Sequence, residues 1–402
     1  LSHVLVRGAA QLDMGQARAA QDTFTLALAV HESGAERCTA LLGLAGARRI
    51  FDDLDGALSA LDQAETIATQ ADDWATLSAI QHQRGNIAFP LGQTDICLAA
   101  QTQALALADK ARSPLARAMA LGGLGDAEYA RGRWLVAHDC FTRCVAASRE
   151  SGQGRTEIAN APMAAFCRFG SLDVRAMQQE AIDAMQRARA VGLPRAEMIA
   201  IHAVILALQE MGRFDEVEPL ALRAQQLAQE MGAARFEPEN RIFLADALAW
   251  AGQVERARQE ASLAVARLRE IHTPHYMAPA VLSIAARIEP DTDIADRHLA
   301  QALAMIEKGG LAHNHVWVHR NGIEIGWLRR DAVLIGHHAQ QLERRFAFAP
   351  MPLTDLLVQR ASVMRGHLQG TRTPAWAAQL QALRKTTGMH GLRLLGQTLD
   401  EL

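Results

Sequence analysis

The sequence predicts an all-α solenoid of stacked antiparallel helix pairs. Ala and Leu dominate, Tyr occurs only twice and β-branched runs are short, a composition that favours helix. Small residues recur at a spacing near 40, with Gly and Pro between the units. At 402 residues the chain exceeds the roughly 250–300 residues at which single cores split. A repeat array escapes that limit because each unit buries its apolar face only against its neighbours.

In the first unit, Gly15 marks the turn between two helices, and Ala20, Phe24 and Ala27 form one stripe two helical turns long. The same frame fits Gly132, Trp134, Ala137, Phe141 and Cys144. It fits Gly212, Phe214, Val217, Ala221 and Ala224, and again Gly252, Val254, Ala257, Ala261 and Ala264. Weaker copies run through Leu54, Ala57, Leu61 and Ala64, through Gly92, Cys97 and Ala104, and through Ala295, Leu299 and Ala302. The first small residue of each stripe falls at 20, 57, 97, 137, 217, 257 and 295, in steps of 37, 40, 40, 80, 40 and 38. The double step leaves room for an irregular unit over 155–191. Pro114, Pro194, Pro274, Pro290, Pro350 and Pro374 fall at unit boundaries, where a missing N–H is tolerated.

The Gly-x-aromatic-x-x-small pattern, with Leu124-Gly125 upstream of Gly132, resembles the tetratricopeptide repeat (TPR) family. The resemblance implies a TPR-like α-solenoid, a right-handed superhelix with inner and outer helices. About eight helix-pair repeats would occupy 1–310, and degenerate repeats with C-terminal capping helices would occupy 311–402. HEAT repeats share the longer period but lack the turn glycines. Beyond residue 310 the pattern loosens, and helices are expected over 315–336, 331–346, 353–368, 374–383 and 392–402.

The formal net charge is −3, which argues against direct nucleic-acid binding by the whole chain. From residue 311 onward eleven basic residues face six acidic ones, a surplus that suits a solvated or docking face. No apolar run reaches the ~18–20 residues of a membrane span. Five unpaired-looking cysteines point to a reducing compartment, and a cytoplasmic location is expected. A chain that opens on Leu1 is expected to continue a longer polypeptide.

The sequence carries no phosphate-cradling loop, dinucleotide fingerprint, H-E-x-x-H, G-x-S-x-G or C-x-x-C. A non-enzymatic protein without cofactor or metal is therefore expected. Gly122-Gly123-Leu-Gly125 lies within a helix frame and reads as packing. Cys140 and Cys144 share a helix face, but Cys144 occupies a small-residue position, so both read as small hydrophobes. His313, His315 and His319, with His337 and His338, form the one tempting metal cluster, and Glu324 is the only convincing carboxylate near them in sequence.

Carrying the family's frame over places a set of side chains on the concave wall. These are His82, Asn86 and Phe89; Met119, Asp126 and Tyr129; Asn160 and Arg168; and His202 and Gln209. Polar and aromatic residues on a wall of Ala and Leu suit an extended peptide or a small ligand. The same residues also suit a solvated wall. Asn160-Ala-Pro162 is expected to interrupt its helix.

The Arg-rich composition, with only three lysines, and the basic Trp327-Leu-Arg-Arg330 segment resemble the C-terminal regions of large bacterial signalling proteins. Adenylate/guanylate cyclases with an AAA-type ATPase module and LuxR-type transcription regulators are of this kind. That resemblance implies a sensor or regulatory arm linked to an upstream signalling domain. The alternative is a free-standing scaffold that bridges two proteins.

Overall fold

The computed structural model describes residues 3–31, 34–271 and 276–402, so Leu1 and Pro274 lie outside the described residues. The described residues form 21 α-helices and no strand. The first four antiparallel pairs are α1 (His3–Asp13) with α2 (Ala17–Val30), α3 (Gly34–Ile50) with α4 (Leu54–Gln70), α5 (Trp74–Ala88) with α6 (Thr94–Ala111), and α7 (Pro114–Arg131) with α8 (Trp134–Glu150). Next come α9 (Gly154–Cys167) with α10 (Val174–Ala190), α11 (Pro194–Glu210) with α12 (Val217–Met231), and α13 (Glu237–Trp250) with α14 (Val254–Arg267). The last three are α15 (Ala278–Ile288) with α16 (Thr292–Glu307), α17 (Ala312–Leu328) with α18 (Ala332–Phe346), and α19 (Pro352–Leu368) with α20 (Pro374–His390). A short helix, α21 (Arg393–Asp400), ends the chain.

The small-residue stripe explains how each pair closes. Ala20, Ala57, Cys97, Ala137 and Ala257 are buried on the even-numbered helices, as are Met177 and Ile335 at the corresponding places in two pairs without a small residue there. Bulky partners lie against glycines. A Cβ on Gly43 would stand 2.2 Å from the Phe24 ring, and one on Gly125 would stand 2.7 Å from the Phe141 ring. Such spacing leaves no room for growth. Ala137→Leu is therefore expected to cost about 1–3 kcal/mol by overpacking, and an unchanged urea midpoint would show that this contact is not close-packed.

Gly132 serves two purposes. Its φ of +91° ends α7 in the left-handed region, and a Cβ there would stand 2.7 Å from Phe346, far along the chain. That second contact belongs to a regular pattern in which the inner turn of one pair touches the pair five places later. Gly15 of the first pair meets Pro194 and Met231 of the sixth. Asp52 of the second pairs with Arg235, at the start of the seventh, at 2.6 Å. The Phe89 and Tyr276 rings, of the third and eighth, lie 6.2 Å apart. Gly170 of the fifth approaches Met351 of the tenth, and Gly212 of the sixth approaches Arg393 of α21. The array winds about five pairs per turn, and successive turns touch.

This winding accounts for the loosened pattern beyond residue 310. Helix α17 lies between its own neighbours and α7 of the preceding turn, so His313, Asn314, His319, Arg320, Asn321 and Glu324 are all buried. A helix covered on every side has no polar stripe to read. Its charges are neutralised internally: Arg320 pairs with Glu210 and Glu324 with Arg360 at 2.6 Å, and beside them Arg287 of α15 pairs with Asp246 of α13. Arg360 also donates to Thr398 Oγ1 and to the Leu395 carbonyl, which ties α21 to the array.

Two local expectations are corrected. The helix expected over 315–336 ends at Leu328, because Arg330 turns into the left-handed region (φ 56°) and the Asp331 carboxylate caps α18 by accepting from the Val333 and Leu334 amides. Pro162 does not interrupt α9, which runs on to Cys167 and passes into a 3-10 turn over Arg168–Ser171. Asn160 stays helical and donates to the Thr156 carbonyl.

Candidate functional site

The odd-numbered helices form the inner wall, and contact between turns closes that wall into a cavity of about 500 Å³. Its lining draws on chain segments from Leu12 of α1 to Trp317 of α17. The volume lies within the range of small-molecule sites.

Of the residues assigned to the concave wall by sequence, His82, Asn86, Phe89, Met119, Asp126, Tyr129, Asn160 and His202 line this cavity. Arg168 and Gln209 do not. Arg168 lies in the 3-10 turn and pairs with Glu180 at 2.8 Å. Gln209 donates to the Phe243 carbonyl and to Asp246 at the buried ion-pair network. Both belong to the structure of the wall and not to its lining.

His82 is fixed as a neutral ring. Its Nδ1 faces Gln101 Oε1 at 3.0 Å, so it donates there, and its Nε2 accepts from Asn86 Nδ2 at 3.0 Å. Burial lowers its pKa to about 4. His202 donates from Nε2 to Asn240 Oδ1 at 2.6 Å and is likewise lowered to about 4 by burial. Its Nδ1 stands 3.5 Å from Glu239, whose carboxyl burial pushes up to about 8. Asp126 is raised to about 6 by burial, with Arg195 and Arg49 pulling it back. The aromatic part of the wall is continuous: Tyr129 lies beside Phe89, Trp134, Phe166 and His313, with ring centroids 5.4–6.5 Å apart. Tyr129 is only 6% exposed. Replacing it would destabilise the fold, so it cannot serve as a clean test of binding.

The sequence frame missed Arg49, Arg195, Arg235, Glu239 and Tyr276, which also line the cavity. Arg49 lies in the last turn of α3 and Arg195 in the first turn of α11, outside the mid-helix positions that the repeat frame transfers. The winding of the array brings them into one lumen, and no single repeat records that winding.

The histidines after residue 310 do not form a metal centre with Glu324, which is engaged by Arg360. His313 donates to the Tyr276 carbonyl at 2.8 Å and faces the lumen. His319 and His338 meet Nδ1 to Nδ1 at 3.0 Å, one donating and one accepting. Among the described residues no group of three or more His, Cys, Asp or Glu is placed to hold a metal ion. All five cysteines are buried, and burial pushes the thiols of Cys97 and Cys144 up to about 12.

Residues 76–150, from α5 through α8, match the tetratricopeptide repeat family. Over that stretch the repeats are tetratricopeptide repeats. No curated protein sequence matches the chain. Among solved structures, the helical array is similar to a Rap protein complexed with competence and sporulation factor, at 11% identity and a TM-score of 0.59, covering 92% of this chain and 98% of that one. It is also similar to aspartyl phosphate phosphatase F from Bacillus subtilis, at 10% identity and a TM-score of 0.52, covering 94% and 96%. The apo form of RapI aligns at 11% identity and a TM-score of 0.51, covering 68% of this chain and 99% of that one. At these identities the likeness is one of fold. No helix among the described residues is long and apolar enough to cross a membrane.

Proposed function

We propose that this TPR array is a sensor arm that binds a short peptide or small ligand in its lumen and controls a linked bacterial signalling or transcription-regulating domain. One observation carries the reading: turn-on-turn closure turns the concave wall into a cavity of about 500 Å³ with polar and aromatic walls. A cavity of that size suits a small ligand or a short peptide, and not a folded domain. The similar Rap protein, whose structure was solved with competence and sporulation factor, supports the reading as an analogy of fold. Ligand contacts to both turns would favour the closed winding, and a linked domain would sense that shift in population.

The test is thermal denaturation with the dialysable, low-mass fraction of source-cell extract. The midpoint is expected to rise with concentration. It is expected to stay put in Ala159→Trp, which fills the lumen from an exposed position on α9. If only the high-mass fraction stabilises the chain, and equally in both proteins, the array is a scaffold that binds partners on its outer surface.

A further inference from the structure

Once internal ion pairs are set aside, two arginines are left without a partner on the lumen wall. Arg155 is matched by Asp13 at 3.0 Å and Arg235 by Asp52 at 2.6 Å. Arg49 and Arg195 have no hydrogen-bonding or ion-pairing partner for their side chains among the described residues, and both line the cavity. Of the two acids left on the lining, Asp126 lies near both arginines, and Glu239 stands 3.5 Å from His202 Nδ1, with burial pushing its carboxyl up to about 8. The two guanidiniums also work against each other: burial first, then Arg195 and Arg235, lower the Arg49 pKa to about 9. Arg49 is half-buried and Arg195 exposed on the lumen wall, and a cleft lined by like charges without a matching pair of carboxylates concentrates anions.

The surrounding wall offers further ligand contacts. Glu239 Oε2 and His313 Nδ1 are buried polar atoms without a partner on the cavity lining, and such atoms in a folded protein call for one. Beside them Phe89, Tyr276 and Phe236 make an apolar surface with centroids 5.7–6.2 Å apart.

We propose that the lumen binds a small organic anion, with its acidic group between Arg49 and Arg195 and its apolar body against Phe89, Tyr276 and Phe236. The site is split between two turns of the superhelix, since Arg49 comes from the second helix pair and Arg195 from the sixth. It therefore exists only in the wound array, and an anion that bridges the two arginines stabilises the winding. The inference rests on the lumen being the ligand site.

The test compares two fluorescent compounds of nearly the same shape, anilinonaphthalene sulfonate and its uncharged analogue phenylnaphthylamine. The wild-type chain is expected to bind the sulfonate roughly tenfold or more tightly than the neutral compound, a charge-assisted contact. The Arg49→Gln/Arg195→Gln double variant is expected to lose that preference while its affinity for the neutral compound holds. Neither arginine side chain supports the fold through a described contact, so the variant keeps the wild-type circular dichroism. Ala159→Trp is expected to weaken both compounds. Loss of binding in the plugged variant, with no effect of the arginine changes, overturns the anion site and leaves the lumen reading intact. If neither compound binds, or the plug changes nothing, both fall. Displacement of the sulfonate by phenylbutyrate, or by the free-acid but not the amidated tripeptide Ala-Ala-Phe, then separates a small carboxylate from a peptide C-terminus.

Discussion

Acidification from pH 7.5 to 5.5 is expected to remove about 5 kcal/mol of stability. The cause is a set of histidines held neutral by burial. His82, His202, His313 and His338 are lowered to about 4, His315 to about 3 and His319 to about 2. Unfolded histidine takes up a proton near pH 6.5. Between that value and the folded pKa the unfolded chain binds more protons, so stability falls as pH falls. Each histidine contributes about 1.4 kcal/mol per pH unit in that window. Asp126, Glu239 and Glu210 oppose this, because their raised pKa values let the folded state take up protons first, but they are three groups against six. The check is the urea midpoint at pH 7.5, 6.5 and 5.5, with a steep fall below 6.5. A flat profile would mean that these rings are hydrated or already paired with acids in the folded state.

Asp52→Asn is expected to cost about 3 kcal/mol, the low end of the ~3–5 kcal/mol for stranding one member of a buried ion pair. Arg235 is 5% exposed and reaches both Asp52 Oδ1 at 2.6 Å and the Arg49 carbonyl at 3.2 Å. Asparagine suits the site otherwise, since Asp52 sits at φ 61°, where Asn is tolerated better than most residues, and its amide oxygen still accepts a hydrogen bond. The loss therefore reports on charge. Because this pair joins the second helix pair to the seventh, the variant is also expected to bind lumen ligands more weakly, although neither atom of the pair needs to touch them. An unchanged urea midpoint would mean that the two turns are held together by other contacts.

The repeat and the lumen were not equally legible in the sequence. Ala20, Ala57, Ala137 and Ala257 mark one face of exposed outer helices, where the contrast between small, bulky and polar positions survives. The pattern faded at α17 for a physical reason: burial on all sides forces Arg320 and Glu324 inward as paired ions, so charge no longer signals solvent. The family frame carried His82, Asn86, Asp126 and His202 to the cavity because mid-helix inner positions repeat from pair to pair. It carried Arg168 and Gln209 to places where neighbouring acids and carbonyls had already taken them. Arg49 and Arg195 lay beyond reach, because they meet only through the small rotation per repeat that sums to one turn in five.

The central claim is the closed winding that makes the lumen, and small-angle X-ray scattering of the chain in solution tests it most directly. Turn-on-turn contact predicts a radius of gyration near the compact value for 402 residues, about 21 Å. A value above ~30 Å, as expected for ten helix pairs stacked about 10 Å apart in an open array, would contradict it and leave Arg49 and Arg195 too far apart to share a ligand.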